Sequence, residues 1–265
     1  MDDHAPSSLF PLLQAVIYGD SAYPSGRYTL SHGLEGLVGT GRVTGADGSG
    51  KVLDDHLRYT AGPGDAVATA CAALLATAPA HRDRPVDDRM KELVRLDAEL
   101  SATKITAELR RASTRVGRQT LMVHGQVRDR SAGECPAPPR SVTDLLDVFA
   151  RAARERRTAA NQAVAMGLIH SANGLSPLEG VAVELLGLAV GWSSAALRLR
   201  QCDHVRAQAM VARSLPVISE VAAASVRAAE AALADGSFRL IGRASPGSDL
   251  ASAAHETAPA RLFMS

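Results

Sequence analysis

The chain has 265 residues, 46% of them hydrophobic and 22% charged, with a formal net charge of +1. That length supports one large domain or two small ones, and near-neutrality excludes a global field drawing the chain to nucleic acid or anionic lipid. Aromatic residues make up only 3%, so the core must be built from Ala, Leu and Val, which favours closely packed helices over sheets.

The signals along the chain are helical throughout. A short apolar segment, Leu9 to Tyr18, leads into a polar run, DSAYPSGRYTLSHGLE, at Asp20 to Glu35. Helical pattern resumes near Leu30 and stops at Gly39 and Gly41. A glycine-rich turn (Gly45 to Gly50) precedes a further helical stretch to about Ala61. Pro63-Gly64-Asp65 is then expected to open an alanine-rich helix, and Pro79 to Pro85 to form a loop. Met90, Leu93, Leu96 and Leu100 fall on one helix face, and Ala102 to about Val123 reads as one further helix.

Gly125 to Arg140 reads as a loop, followed by a capping-box start at Ser141 to Asp144. The clearest start is Ser176-Pro177-Leu178-Glu179, where Ser caps, Pro suits the first helical position and Glu reaches back. It follows a C-cap at Asn173-Gly174. Val181 to Leu199 approaches the length of a membrane span, but Glu184 and Arg198 lie within it, so a core helix is expected. Leu185, Leu186, Leu188, Val190 and Trp192 should then be buried. Gly187 and Gly191 would let another helix approach, within the chain or across a dimer. From His204 to Ala234 a long helix runs through Pro216. The expectation is an all-α, multi-helix domain over residues 1–235 with a flexible tail over 236–265.

Chemical motifs are sparse. Cys71, Cys135 and Cys202 are too dispersed for a zinc site or disulfide framework. Asp2, Asp3 and His4 offer no basic leader, and a cytoplasmic location is expected. His32 and Glu35 could share a helix face, but a di-metal bundle needs paired Glu-x-x-His motifs. No phosphate loop, nucleophile elbow or paired-histidine zinc motif occurs. The arginine clusters at Arg110 to Arg118 and Arg151 to Arg157 lack aromatics for base stacking and read as solvated faces. The residues themselves point to a helical binding or adaptor protein. Two alternatives stay open: a metal-binding chaperone using His32, Glu35, Cys202 and His204, and a helical enzyme built around Tyr28, His32 and Glu35.

Leu12-Leu13-Gln14 followed by the Asp20–Glu35 run resembles the urease accessory protein F family, UreF. Further likenesses follow in order: Lys104 with ELRRASTRVGR (Glu108 to Arg118), AVAMGLIHSANGLSPLEGVAVELL (Ala163 to Leu186), Arg198 and Gln208, and the ending HETAPARLFMS (His255 to Ser265). Departures stand at Arg27 and Gln162, where the family commonly has Gly and His. A further departure is Gln201-Cys202-Asp203-His204, where the family has a Pro-Leu-Gly/Ser-Gln run.

The resemblance implies an all-α protein with no enzymatic activity, no catalytic or metal-binding residues and no cofactor of its own. It implies partnership with a UreD/UreH-type protein, a UreG-type GTPase and the urease apoprotein. Nickel would be handled by the complex during insertion into urease, and the chain would form a homodimer. Neither nucleic acid nor membrane is an expected partner. Partner binding falls on Pro24, Gly26, Tyr28, Ser31, Gly33, Leu34 and Glu35, and on His255, Glu256, Arg261, Leu262, Phe263, Met264 and Ser265. An adaptor or metal chaperone for another metalloenzyme is the alternative.

Overall fold

The computed structural model describes residues 6–133, 139–242, 245–258 and 261–264. Its helices are α1 (Pro6–Gly19), α2 (Leu34–Gly39), α3 (Gly45–His56), α4 (Val67–Thr77), α5 (Pro79–Arg82) and α6 (Val86–Thr103). They continue with α7 (Ala107–Arg130), α8 (Arg140–Arg154), α9 (Gln162–Ala172), α10 (Pro177–Arg198), α11 (His204–Ala234) and α12 (Pro246–Glu256). No strand occurs among the described residues, so the all-α expectation holds.

The centre is α9 against α4. Every residue of α9 from Ala163 to Ala172 is buried, which requires small side chains where helices cross. A Cβ on Gly167 would overlap the Thr69 carbonyl and the Ala72 methyl. Around this pair lie α7, α10 and α11. The face Met90, Leu93, Leu96 and Leu100 of α6 is buried as its spacing predicts. Trp192 is fully buried and donates its indole N–H to the Ser49 carbonyl at 3.1 Å, fastening α3 to α10. The capping box is present: Glu179 N–H bonds Ser176 Oγ at 3.3 Å, and Glu179 Oε2 accepts from Ser176 N–H at 2.8 Å.

Tertiary packing overrides local signals in several places. The Gly45–Gly50 run lies inside α3, where Gly50 packs against Met210 and Ser49 is buried. Pro63 does not open a helix; a π-helical stretch, Leu57–Ala66, joins α3 to α4 without a break. Proline lacks the N–H for the ladder, and a widened turn accommodates its ring. Nearby carbonyls are satisfied from outside: Ser225 Oγ donates to Gly62 O at 3.0 Å and Gly242 N to Pro63 O at 2.7 Å. The helix expected from Ala102 is interrupted at Lys104–Thr106. Thr106 Oγ1 then caps α7 by accepting from Leu109 N. α7 runs on through Gly125, α5 occupies part of the loop expected at Pro79–Pro85, and Pro139 rather than Ser141 precedes α8.

Within α10, Leu185 and Trp192 are buried, Leu188 and Val190 are half-buried, and Leu186 is 37% exposed. The all-round apolar pattern therefore does not mean all-round burial. The outward face of α10 joins α1, where Leu9, Leu12, Leu13, Val16 and Ile17 are also exposed. By length and composition α10 and α11 could each cross a membrane; here they pack as a hairpin. Cys135 lies outside the described residues.

Candidate functional site: where the N-terminal run meets the C-terminal tail

The Asp20–Glu35 run is an ordered turn. Asp20 Oδ1 accepts from Ala22 N at 2.8 Å. Gly26 and Gly33 take φ of 82° and 88°, the left-handed region that glycine enters without steric cost. A 3-10 turn, Arg27–Thr29, lies between them. Ser31 Oγ accepts from Glu35 N in the first turn of α2 at 3.3 Å, while Gly33 holds the N-cap position. Leu34 is fully buried, whereas Tyr28 is 58% exposed, so Tyr28 is a surface residue and not part of the core.

Within the chain, Gly187 and Gly191 make room for side chains of this run. A Cβ on Gly187 would stand 2.5 Å from Arg27 Nη1, and one on Gly191 would touch His32 Nε2. Arg27 enters through that gap and pairs with Glu184 at 3.1 Å. Glu184 also accepts from Gln162 Nε2 at 3.0 Å and meets His170 Nε2 at 3.1 Å. Desolvation opposes its charge, but Arg27 and the surrounding donors prevail and hold the carboxyl at about 2. The departures at Arg27 and Gln162 thus converge on one buried carboxylate. The Gln201–His204 departure forms the α10–α11 turn: Gln201 Oε1 accepts from Gly45 N, and Asp203 Oδ1 caps α11.

The C-terminal tail closes onto the same region. α12 packs on α2 and α7, and a Cβ on Gly36 would overlap the Ala251 carbonyl. His255, 2% exposed, lies between two carboxylates. Its Nδ1 is 2.9 and 3.0 Å from the Glu108 oxygens, and its Nε2 is 2.7 Å from Glu35 Oε2. Whichever ring nitrogen carries hydrogen donates to the carboxylate it faces. Glu35 also accepts from the backbone N–H groups of Leu262 (2.8 Å) and Phe263 (3.0 Å). Met264 N donates to Thr29 O at 2.9 Å. Arg198 stacks on the Phe263 ring, 4.1 Å from its centroid, and donates to Tyr28 O at 2.7 Å.

Glu256 Oε1 accepts from Glu108 N at 2.7 Å, and Arg261 Nη1 is 3.7 Å from Glu108. The expectation of a loosely packed tail is corrected for these residues. Phe263 is buried, while the two backbone N–H groups donate to Glu35, which also meets His255 Nε2. Pro24, Gly26, Ser31, Gly33 and Leu34 shape the turn. Tyr28, Leu262 (71% exposed) and Met264 face outward. Ser265 lies outside the described residues.

Behind this face is a cavity of about 170 Å³, lined in part by Arg27, Tyr28, His32, His56, Lys104 and Glu184. Burial lowers His32 to about 3, helped by the neighbouring His56, and lowers His56 itself to about 4. Lys104 Nζ pairs with Asp65 at 2.8 Å. His32 turns toward His56 (ring centroids 6.3 Å apart) while Glu35 turns toward His255, so the two do not form a pair. No cluster of three His, Cys, Asp or Glu side chains able to hold a metal occurs among the described residues. The convergence that a site of His32, Glu35, Cys202 and His204 requires is therefore lacking.

Burial of His255 and Glu108 was not legible locally, because their partners lie far along the chain. The only signal was that Glu35, Glu108 and His255 each stand in a run resembling the same family.

The fold and this face define an all-α helical protein with its N-terminal run and C-terminal tail joined in one exposed surface. The chain belongs to the UreF family, whose model matches residues 43–215. It is 31% identical to urease accessory protein UreF of Xanthobacter autotrophicus over 98% of this chain and 93% of that one. It is 30% identical to the Methylorubrum populi UreF over 96% and 98%, and 27% identical to a Cereibacter sphaeroides UreF over 95% and 97%.

Proposed function

We propose that the chain is a non-catalytic adaptor in urease maturation. It would join a UreD/UreH-type protein and a UreG-type GTPase in a cytoplasmic complex that inserts nickel into the urease apoprotein. The observation that carries this reading is the joining of the Asp20–Glu35 run to the C-terminal tail. Exposed Tyr28, Leu262 and Met264 share a face whose backbone is fixed from beneath by Glu35, His255 and Glu108. Rigid aromatic and aliphatic groups over a pre-organised frame suit a protein interface. The exposed apolar side chains of α1 with Leu186 of α10 supply a second surface, which suits the expected homodimer.

Co-expression with the D/H-type and UreG-type proteins and the urease apoprotein tests the reading. Tyr28→Ala with Leu262→Ala should lose co-purification with the D/H-type partner and lower urease activation, leaving helicity unchanged. Full co-purification by that double variant refutes the face. GTP or urea hydrolysis by the isolated, contamination-free chain refutes the non-catalytic role.

A further inference from the structure

One face of α7 carries the exposed Arg110, Arg111 and Arg115 and the half-buried Arg118, with Met122 one turn beyond. These side chains line a shallow open groove. Some surface arginines of other helices meet carboxylates, as Arg58 does Glu220, Arg84 does Glu92 and Arg128 does Asp147. Among the described residues none of the four groove arginines forms an ion pair.

Three of them are held by neutral acceptors instead. Arg110 donates to the carbonyls of Lys104 (2.5 Å) and Ile105 (2.7 Å), Arg115 to Thr29 Oγ1 (2.9 Å), and Arg118 to the Thr158 carbonyl (3.1 Å). Such bonds restrict the guanidinium without neutralising it, so side-chain ordering is largely complete before a ligand arrives. In a chain of net charge +1, four positive charges without an ion-pair partner among the described residues, three of them held in place, are a local excess within two and a half turns.

We infer that this groove is a docking site for a carboxylate-rich segment of a protein partner. Planar guanidinium forks match carboxylates in pairs. No aromatic side chain lines the groove, so it lacks the stacking platform that single-stranded nucleic acid uses. Through the Arg115–Thr29 bond the groove borders the Tyr28 face, and a partner seated there could extend an acidic strand along α7. The inference stands apart from the maturation reading, since it rests on the charge of α7 alone and is tested on the isolated chain.

The probe is a fluorescein-labelled peptide of alternating Glu and Gly, titrated into the full chain at low and at physiological salt. A single-stranded oligonucleotide of equal charge is run beside it. Saturable peptide binding that weakens with salt is expected, with Arg111→Glu weakening it about tenfold and Arg206→Glu, on α11, leaving it unchanged. Arg111 has no fixed partner, so this variant should keep its helicity; Arg111→Gln, an uncharged change, should give an intermediate loss. Absence of peptide binding at low salt overturns the inference. So does an equal loss in the Arg206 variant. Oligonucleotide binding as tight as the peptide's, equally sensitive to Arg111→Glu, also overturns it in favour of a general polyanion surface.

Discussion

Arg27 and Glu184, 157 residues apart, form an ion pair in which Nη2 stands 3.1 and 3.2 Å from the two carboxylate oxygens. Both side chains are about nine-tenths buried. The pair pins the N-terminal run to the middle of α10, at the gap left by Gly187.

Removing one partner from a buried pair leaves the other uncompensated, at roughly 3–5 kcal/mol. Arg27→Ala should therefore destabilise the fold by about that amount, read from urea unfolding. The double change Arg27→Ala with Glu184→Gln should recover much of the loss. A single variant as stable as the parent would show that Gln162 and His170 suffice for Glu184.

Stability should fall on mild acidification. Burial holds His56 and His124 at about 4, and burial together with its neighbour holds His32 at about 3. In the unfolded chain these rings titrate near 6.5, so between there and about pH 4 the unfolded state binds more protons than the native one. The stabilisation is complete above the unfolded value and is lost as pH falls, with a slope of at most about 1.4 kcal/mol per pH unit for each ring. Melting temperature followed from pH 7 to pH 4 checks this. His124 Nδ1 is hydrogen-bonded to Tyr18 Oη, and His124→Gln, which can keep that contact, should flatten the profile.

Gly36→Ala should dislodge α12, because the new methyl group overlaps the Ala251 carbonyl. Limited proteolysis should then cleave within residues 236–258 well before the core. Gly39→Ala is the control: nothing lies within 4 Å of its Cβ, and the change should be neutral or slightly stabilising.

Leu186→Ala should cost under about 1 kcal/mol in the monomer, since Leu186 is partly exposed, whereas fully buried Trp192→Ala should cost about 3–5 kcal/mol or more. If a second copy covers Leu186, the Leu186 penalty grows with protein concentration. Denaturation at two concentrations separates the cases.

Deletion of the last five residues removes the buried Phe263 ring and two of the donors to Glu35. It should lower stability by about 1–3 kcal/mol. Arg261→Ala, whose side chain is 45% exposed, should leave stability nearly unchanged. Thermal melts of both variants decide whether the tail belongs to the fold.

Much of this architecture was legible because helical periodicity and caps are local. The α6 face at Met90–Leu100 and the Ser176–Glu179 box follow from neighbours three and four residues away. The π-helical stretch at Pro63 was not, since it is stabilised by Ser225 and Gly242 from distant parts of the chain. The glycines within α3 resemble a turn for a similar reason: Met210 and Trp192 supply packing that their composition does not announce. At the candidate site, Gly26, Gly33 and Tyr28 were marked only through the family resemblance. The partners of Glu35 and the order of the tail were not, because a charge's counter-charge has no sequence period.

The Glu35–His255 contact joins residues 220 positions apart, and that distance sets a timetable. Closing so long a loop gains nothing until the helices between have condensed, so contacts of this span are among the last to become favourable. A refolding chain should recover helicity and Trp192 burial first and complete the Tyr28 face afterwards. A partner that reads this face would then bind only chains whose core is already built.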